Sequence, residues 1–178
     1  MQIPRDLLLD LFNHMEWADA AIWNAVLTHE GARADGHMRA YLLHTAGVQR
    51  AFLDAWTQQP FTFRQNFDDT SVAEQFDSVR SYYAGARAFV ASVDDAALAA
   101  PLVVPWMQWV EQHFKRPVAG TRLGETVLQV IIHTTHHRAQ ASARLRALGG
   151  EPPNIDYIAW LWLARPEPEW PAASAAAL

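Results

Sequence analysis

The chain has 178 residues, the size of one ordinary domain, and its 51% hydrophobic and 19% charged residues suit a packed core rather than a disordered chain. A formal net charge of -5, with 14 Lys and Arg gathered in no dense run, argues against nucleic acid as the main partner. There is no cysteine, which excludes disulfides, thiolate metal sites and an internal thiol nucleophile, and fits a reducing cytoplasm.

The N-terminal stretch MQIPRDLLLDLFNH carries Arg5 and Asp10 where a signal peptide would be apolar. No apolar run approaches the ~20 residues that span a bilayer, so a soluble, cytoplasmic protein is expected. From about residue 5 to 28, Leu8, Leu11, Met15, Ala18, Ile22 and Val26 recur in steps of three and four, the mark of an amphipathic helix. The GARADG stretch ends it. A second helix is expected from about Gly36 to Trp56, with Tyr41, Val48 and Phe52 along one side and Pro60 closing it.

Ser71 and Glu74 have the spacing of a capping box, which starts a third helix running to about Val93. From Asp94 to Gly120 comes a connection with prolines at 101, 105 and 117. Connections of that length are usually functional lids or carry short strands, and Trp106, Trp109, His113 and Phe114 give this one the bulk to cover a cavity. The fourth and longest helix runs from a Thr121 cap to Leu148, stopped by Gly149 and Gly150 and then Pro152 and Pro153. Asn154 can cap a short apolar helix, IDYIAWLWLA. The expected fold is therefore all-α: a four-helix bundle over residues 1–165, then a flexible or loosely docked tail over 166–178.

Eight histidines are many for such a chain, and the segment IIHTTHHRAQ is where they cluster. His133 and His137 lie ~40° apart around a helix and ~6 Å apart along it, so both imidazoles can reach one ion from the same side. His136 is also on offer, and spacing alone leaves the pair open. The same projection lines up Thr126, Gln129, His133, His137, Gln140 and Arg144 between apolar flanks that include Leu128, Ile131 and Ile132, which suggests a lined cavity. His44 falls in the second helix on the side of Ala40, Tyr41, Val48, Ala51, Phe52 and Ala55, read as an inward face. His37 is on that side but ~10 Å away along the axis. A lone histidine on an apolar face is more often a hydrogen-bonded core residue, and HxxxH here lacks the Glu of the protease signature, since Thr134 holds that place. His14, His29 and His113 read as surface or loop residues, and Trp17, Trp23 and Trp56 as core.

The segments NHMEWAD (13–19), LLHTAGVQRAF (42–52) and LGETVLQVIIHTTHHRAQASARLRALGGEPPNIDY (123–157) together resemble the DinB family over most of the chain. The resemblance implies an up-down-down-up four-helix arrangement, frequent homodimers, and a divalent metal, zinc or nickel, held by His44, His133 and His137, with His136 a neighbour that does not ligate. The usual glycine after the arginine is Ala139 here, which bears on local packing. Relatives include S-transferases that use mycothiol or bacillithiol and a thiol-dependent maleylpyruvate isomerase. The implied activity is thus metal-dependent thiol transfer to a small-molecule substrate, with Gln129, Gln140 or Arg144 candidates to orient it. The alternatives are a metal-dependent hydrolase, for which Glu125 is the acid on the inner half of that helix, and a non-enzymatic metal- or small-ligand-binding stress protein.

Overall fold

The computed structural model describes residues 3–60 and 72–172. In chain order it contains α1 (Arg5–Thr28), α2 (Glu30–Arg33), α3 (Gly36–Trp56), α4 (Val72–Ser92), α5 (Asp95–Ala99), β1 (Pro101–Leu102), α6 (Met107–Phe114), β2 (Thr121–Arg122), α7 (Leu123–Ala147) and α8 (Tyr157–Trp162). The four long helices close a ring in which α1 and α3 each pack against both α4 and α7. Their apolar stripes meet in one core, with Phe12, Met15 and Trp23 from α1, Leu42 and Trp56 from α3, Phe76 and Tyr83 from α4, and Val127 and Ile131 from α7. Among the described residues no helix is long and apolar enough to cross a membrane.

Helix ends follow local chemistry. Asp35 caps α3, its Oδ1 accepting from the Met38 N–H at 2.8 Å, and the same carboxylate pairs with Arg144 near the end of α7 at 2.5 Å. That guanidinium holds the Asp35 carboxyl down at about 2. The start of α7 differs from expectation: Thr121 belongs to β2, Arg122 is the N-cap, and Glu125 accepts from the Arg122 N–H at 2.8 Å. Glycine is required after α7, where Gly149 has φ +85 and a Cβ on Gly150 would stand 2.5 Å from Leu145. The expected Ser71–Glu74 box lies outside the described side chains.

The long connection carries two short helices and a two-residue antiparallel ladder pairing Pro101 with Arg122 and Leu102 with Thr121. Asp94 starts α5 by accepting from the Ala97 N–H at 2.7 Å. Asp156, not Asn154, precedes α8. The segment before α8 folds back over α1, and that changes the reading of His14. It is buried, its Nε2–H donates to the Ile155 carbonyl at 2.9 Å, and Tyr157 and Trp160 close around its ring. Beyond α8 the described part of the tail docks on the bundle: Trp170 donates to Glu16 at 3.1 Å and packs on Phe76 and Tyr83, while Asn24 donates to the Glu169 carbonyl at 2.7 Å.

Inside the ring sits a polar cluster drawn from all four long helices. Asp19 of α1 receives Arg138 of α7 at 2.8 Å, Tyr83 of α4 at 2.5 Å and Gln49 of α3 at 3.1 Å, and Gln49 also donates to Thr134 of α7 at 3.2 Å. Arg138 further donates to the Met15 carbonyl at 3.0 Å. Removing one member of a buried ion pair strands the other in a low dielectric. Arg138→Met is therefore expected to lower the unfolding free energy in urea by about 3–5 kcal/mol. The double variant Arg138→Met with Asp19→Leu should recover most of that loss. A double variant as unstable as the single one would mean that the cluster does not act as a pair.

Candidate metal centre

Two rows of α7, offset by one residue, perform different tasks. Thr134 and Arg138, four apart, point into the polar cluster, and both are buried. His133 and His137, each one residue earlier and so ~100° round the helix, lie half-buried at the rim facing α3. There His44 of α3 meets them. The face of α3 that carries it is a rim rather than the inward face expected from its alanines: His44 and Ala40 are exposed, whereas Leu42, Ala46, Gln49 and Leu53 hold the core side.

Three imidazole nitrogens converge at that rim. His133 Nε2 stands 3.2 Å from His44 Nε2 and 3.1 Å from His137 Nε2. Among the described residues these three form a group able to hold a metal ion, with one ligand atom each and all within 4.8 Å of one another. Nitrogens bound to one tetrahedral ion at ~2.0–2.1 Å are about 3.3 Å apart, so the spacings of His133 from its two neighbours suit a shared ion. His137 Nδ1 lies 2.6 Å from Gln140 Oε1. A proton on Nδ1 bonded to that oxygen leaves the Nε2 lone pair directed at the site, the usual outer-shell arrangement of a metal-binding histidine. His133 Nδ1 is buried with no hydrogen-bond partner among the described residues.

The surroundings disfavour protons. Burial, then the neighbouring His137, His44 and His136, push His133 down to about 4. Burial and His137 lower His44 in the same direction. Ligation requires neutral imidazole, so this environment suits a divalent ion better than it suits imidazolium. His136 is exposed; its ring stands edge-on to His137 at 5.0 Å, and it is not a member of the converging group.

The remaining residues of the expected polar line do not line a shared cavity. Thr126 accepts from Trp56 Nε1 at 2.9 Å in the core, Gln129 is exposed, Gln140 serves His137, and Arg144 is paired with Asp35. Ile132, expected on a buried flank, is 57% exposed. Glu125 is exposed and occupied at the helix start, so it does not stand beside the histidines. Ala139 is exposed, so its methyl group disturbs no packing. His29 accepts from the Ala32 N–H at the start of α2, and His113 is exposed on α6. A cavity of about 20 Å³ touches His137, Gln49, Asp19 and Arg138, placing the rim and the buried cluster back to back.

The sequence model of the DinB family matches residues 5–170, and no curated protein matches the chain.

Two outcomes are expected. Gln140→Leu keeps the three imidazoles but loses the bond to His137, and should weaken zinc affinity about 10–100-fold by competition with a chromogenic chelator. In chelator-treated protein, unfolded imidazoles take up protons below about pH 6.5, whereas folded His133 resists until about 4. Protons thus favour the unfolded chain in that window. The urea midpoint should fall as pH is lowered through it, and a midpoint indifferent to pH between about 6.5 and about 5 would contradict the assignment.

Proposed function

The chain belongs to the DinB family, and from its histidine site we propose that it is a metal-dependent S-transferase. It would join a low-molecular-weight thiol, of the mycothiol or bacillithiol kind, to a small electrophile. The observation that supports this most is the convergence of three imidazole Nε2 atoms, with no carboxylate among them, at a rim open to solvent.

Three neutral imidazoles suit zinc or nickel, and three protein ligands leave a fourth position, as in catalytic rather than structural sites. A divalent ion there would supply a Lewis acid that lowers the pKa of an incoming thiol and favours its nucleophilic thiolate. The chain's own residues provide access and rigidity. His44, the exposed member, stands on the side from which a soluble thiol arrives. Gln140 fixes the ring of His137, and Thr134 and Arg138 anchor the α7 backbone on which both other histidines stand. In the overall reaction a carbon–sulfur bond forms as the bond from that carbon to its leaving group breaks; the leaving group departs with that bond's electron pair, and the thiol proton passes to solvent. Hydrolysis has less support, because Glu125 is engaged with the Arg122 N–H and stands away from the site.

The test is metal content by mass spectrometry on protein purified without affinity tag or chelator, with thiol transfer assayed on the same samples. Wild type should carry a single equivalent of zinc or nickel and transfer thiol, while His44→Ala and His137→Ala should lose both with helix content retained. Metal retained without turnover on any thiol and electrophile would favour a binding protein instead. Metal-free wild type that ignores added zinc and nickel would remove the metal reading altogether.

A further inference from the structure

Trp106, Trp109, Val110, His113 and Phe114 fall at the intervals that make one face of a helix. In a bundle such a face is normally buried against the core. Yet α6 buries none of its own residues, and Trp109 and Phe114 remain 56% and 57% exposed. Across from this stripe stand Val48, Ala51 and Phe52 of α3, and between the two helices runs an open groove of about 370 Å³. That is within the ~300–1,000 Å³ of small-molecule sites. One wall is fixed: Trp106 meets Phe52 edge-on at 5.0 Å, and Phe52 leans on Trp56, which stacks on Phe89.

We propose that this groove binds an uncharged, flat aromatic molecule, and that this molecule is the electrophilic co-substrate of the histidine site. The first half stands on the groove alone; the second rests on the thiol-transfer reading. Among the described residues the lining is aromatic and aliphatic, with His113 its single titratable member and no Lys, Arg, Asp or Glu. A charged body would lose its hydration there without a counter-charge, whereas an aromatic ring gains burial and ring–ring contacts. Position supplies the link to chemistry. Val48 lies one helical turn, ~6 Å, beyond His44 on the same side of α3, so the near end of the groove stands about one turn from the nearest of the three imidazoles.

The test titrates full-length, metal-loaded protein with phenylnaphthylamine, an uncharged aromatic dye that brightens when it leaves water. Saturable binding at a single site is expected, weakened about tenfold or more in Trp109→Ala and in Val48→Trp, whose indole would fill the groove. Trp162→Ala, which removes an exposed tryptophan on α8, should bind as wild type does. Trp109 is exposed, so its loss should leave the thermal midpoint in place. In transfer assays with a chlorodinitrobenzene, Trp109→Ala should raise KM for the aromatic and leave KM for the thiol alone. His44→Ala should keep the dye and lose transfer. Dye that never saturates, or that binds Trp109→Ala and Val48→Trp like wild type, overturns the groove. So does a sedimentation experiment in which a second copy covers this face and excludes the dye. Groove binding in a protein that takes up no metal and transfers no thiol overturns only the co-substrate half.

Discussion

The arrangement depends on one buried carboxylate. Asp19 is the point at which α1 receives a guanidinium from α7, a phenol from α4 and an amide from α3. A hydrophobic core tolerates sliding and rotation of its helices at small cost, because dispersion is not directional. Hydrogen bonds to a buried charge are directional and costly to leave unmade. Burial and the Asp19 charge push the Tyr82 and Tyr83 phenols up, so both remain protonated and Tyr83 remains a donor. With Arg138 held by Asp19 and Thr134 held by Gln49, the rotation of α7 about its axis is set. His133 and His137, the preceding residues, are then delivered to the rim together. Gln49 does the same for α3, five residues beyond His44.

That arrangement accounts for a feature that would otherwise be a fault. Three imidazoles brought this close repel one another when protonated, and His133 is left with a buried nitrogen that has no partner among the described residues. In the folded chain without an ion these are unfavourable terms, which the cluster beneath has to offset. Polar groups held in unfavourable company by a rigid surround are characteristic of sites whose favourable partner comes from outside. Three imidazole nitrogens converging at one rim form a group able to hold such a partner, a small cation that accepts nitrogen lone pairs.

Much of this was legible in the sequence, for physical reasons that differ from element to element. The spans of α1, α3 and α7 follow from apolar periodicity bounded by Gly and Pro, and the structure places them within a residue or two of expectation. The HxxxH spacing gave two nitrogens on one side of a helix, but the choice against His136 and the addition of His44 came from resemblance, since one helix cannot show what opposes it. For the same reason the polar line of α7 resembles a cavity wall in projection without being one. Thr126, Gln140 and Arg144 share a direction, yet each meets a different partner: Trp56, His137 and Asp35. For His14 the sequence pattern indicates a surface position, because nothing local reveals that residues 155–160 return across α1. The polar cluster left no periodic signal at all. Asp19, Gln49 and Arg138 are single polar residues within otherwise amphipathic helices, and they become a cluster only once the register of four helices is known.

The two faces of α3 then explain why the groove lies where it does. The core face is closed by large side chains, Leu42, Leu53 and Trp56, whereas the rim face carries His44 followed by Val48 and the small Ala51. The aromatic contact of Trp106 with Phe52 joins the start of α6 to α3, while the rest of the α6 stripe stays open across the groove. A tighter α6 would bury Trp109 and Phe114 and gain stability at about 25 cal/mol per Å² of apolar surface covered. The sequence instead leaves that surface open beside three converging imidazoles. Val48 follows His44 by one helical turn, so α3 presents an open apolar groove and one of the three imidazoles along a single face.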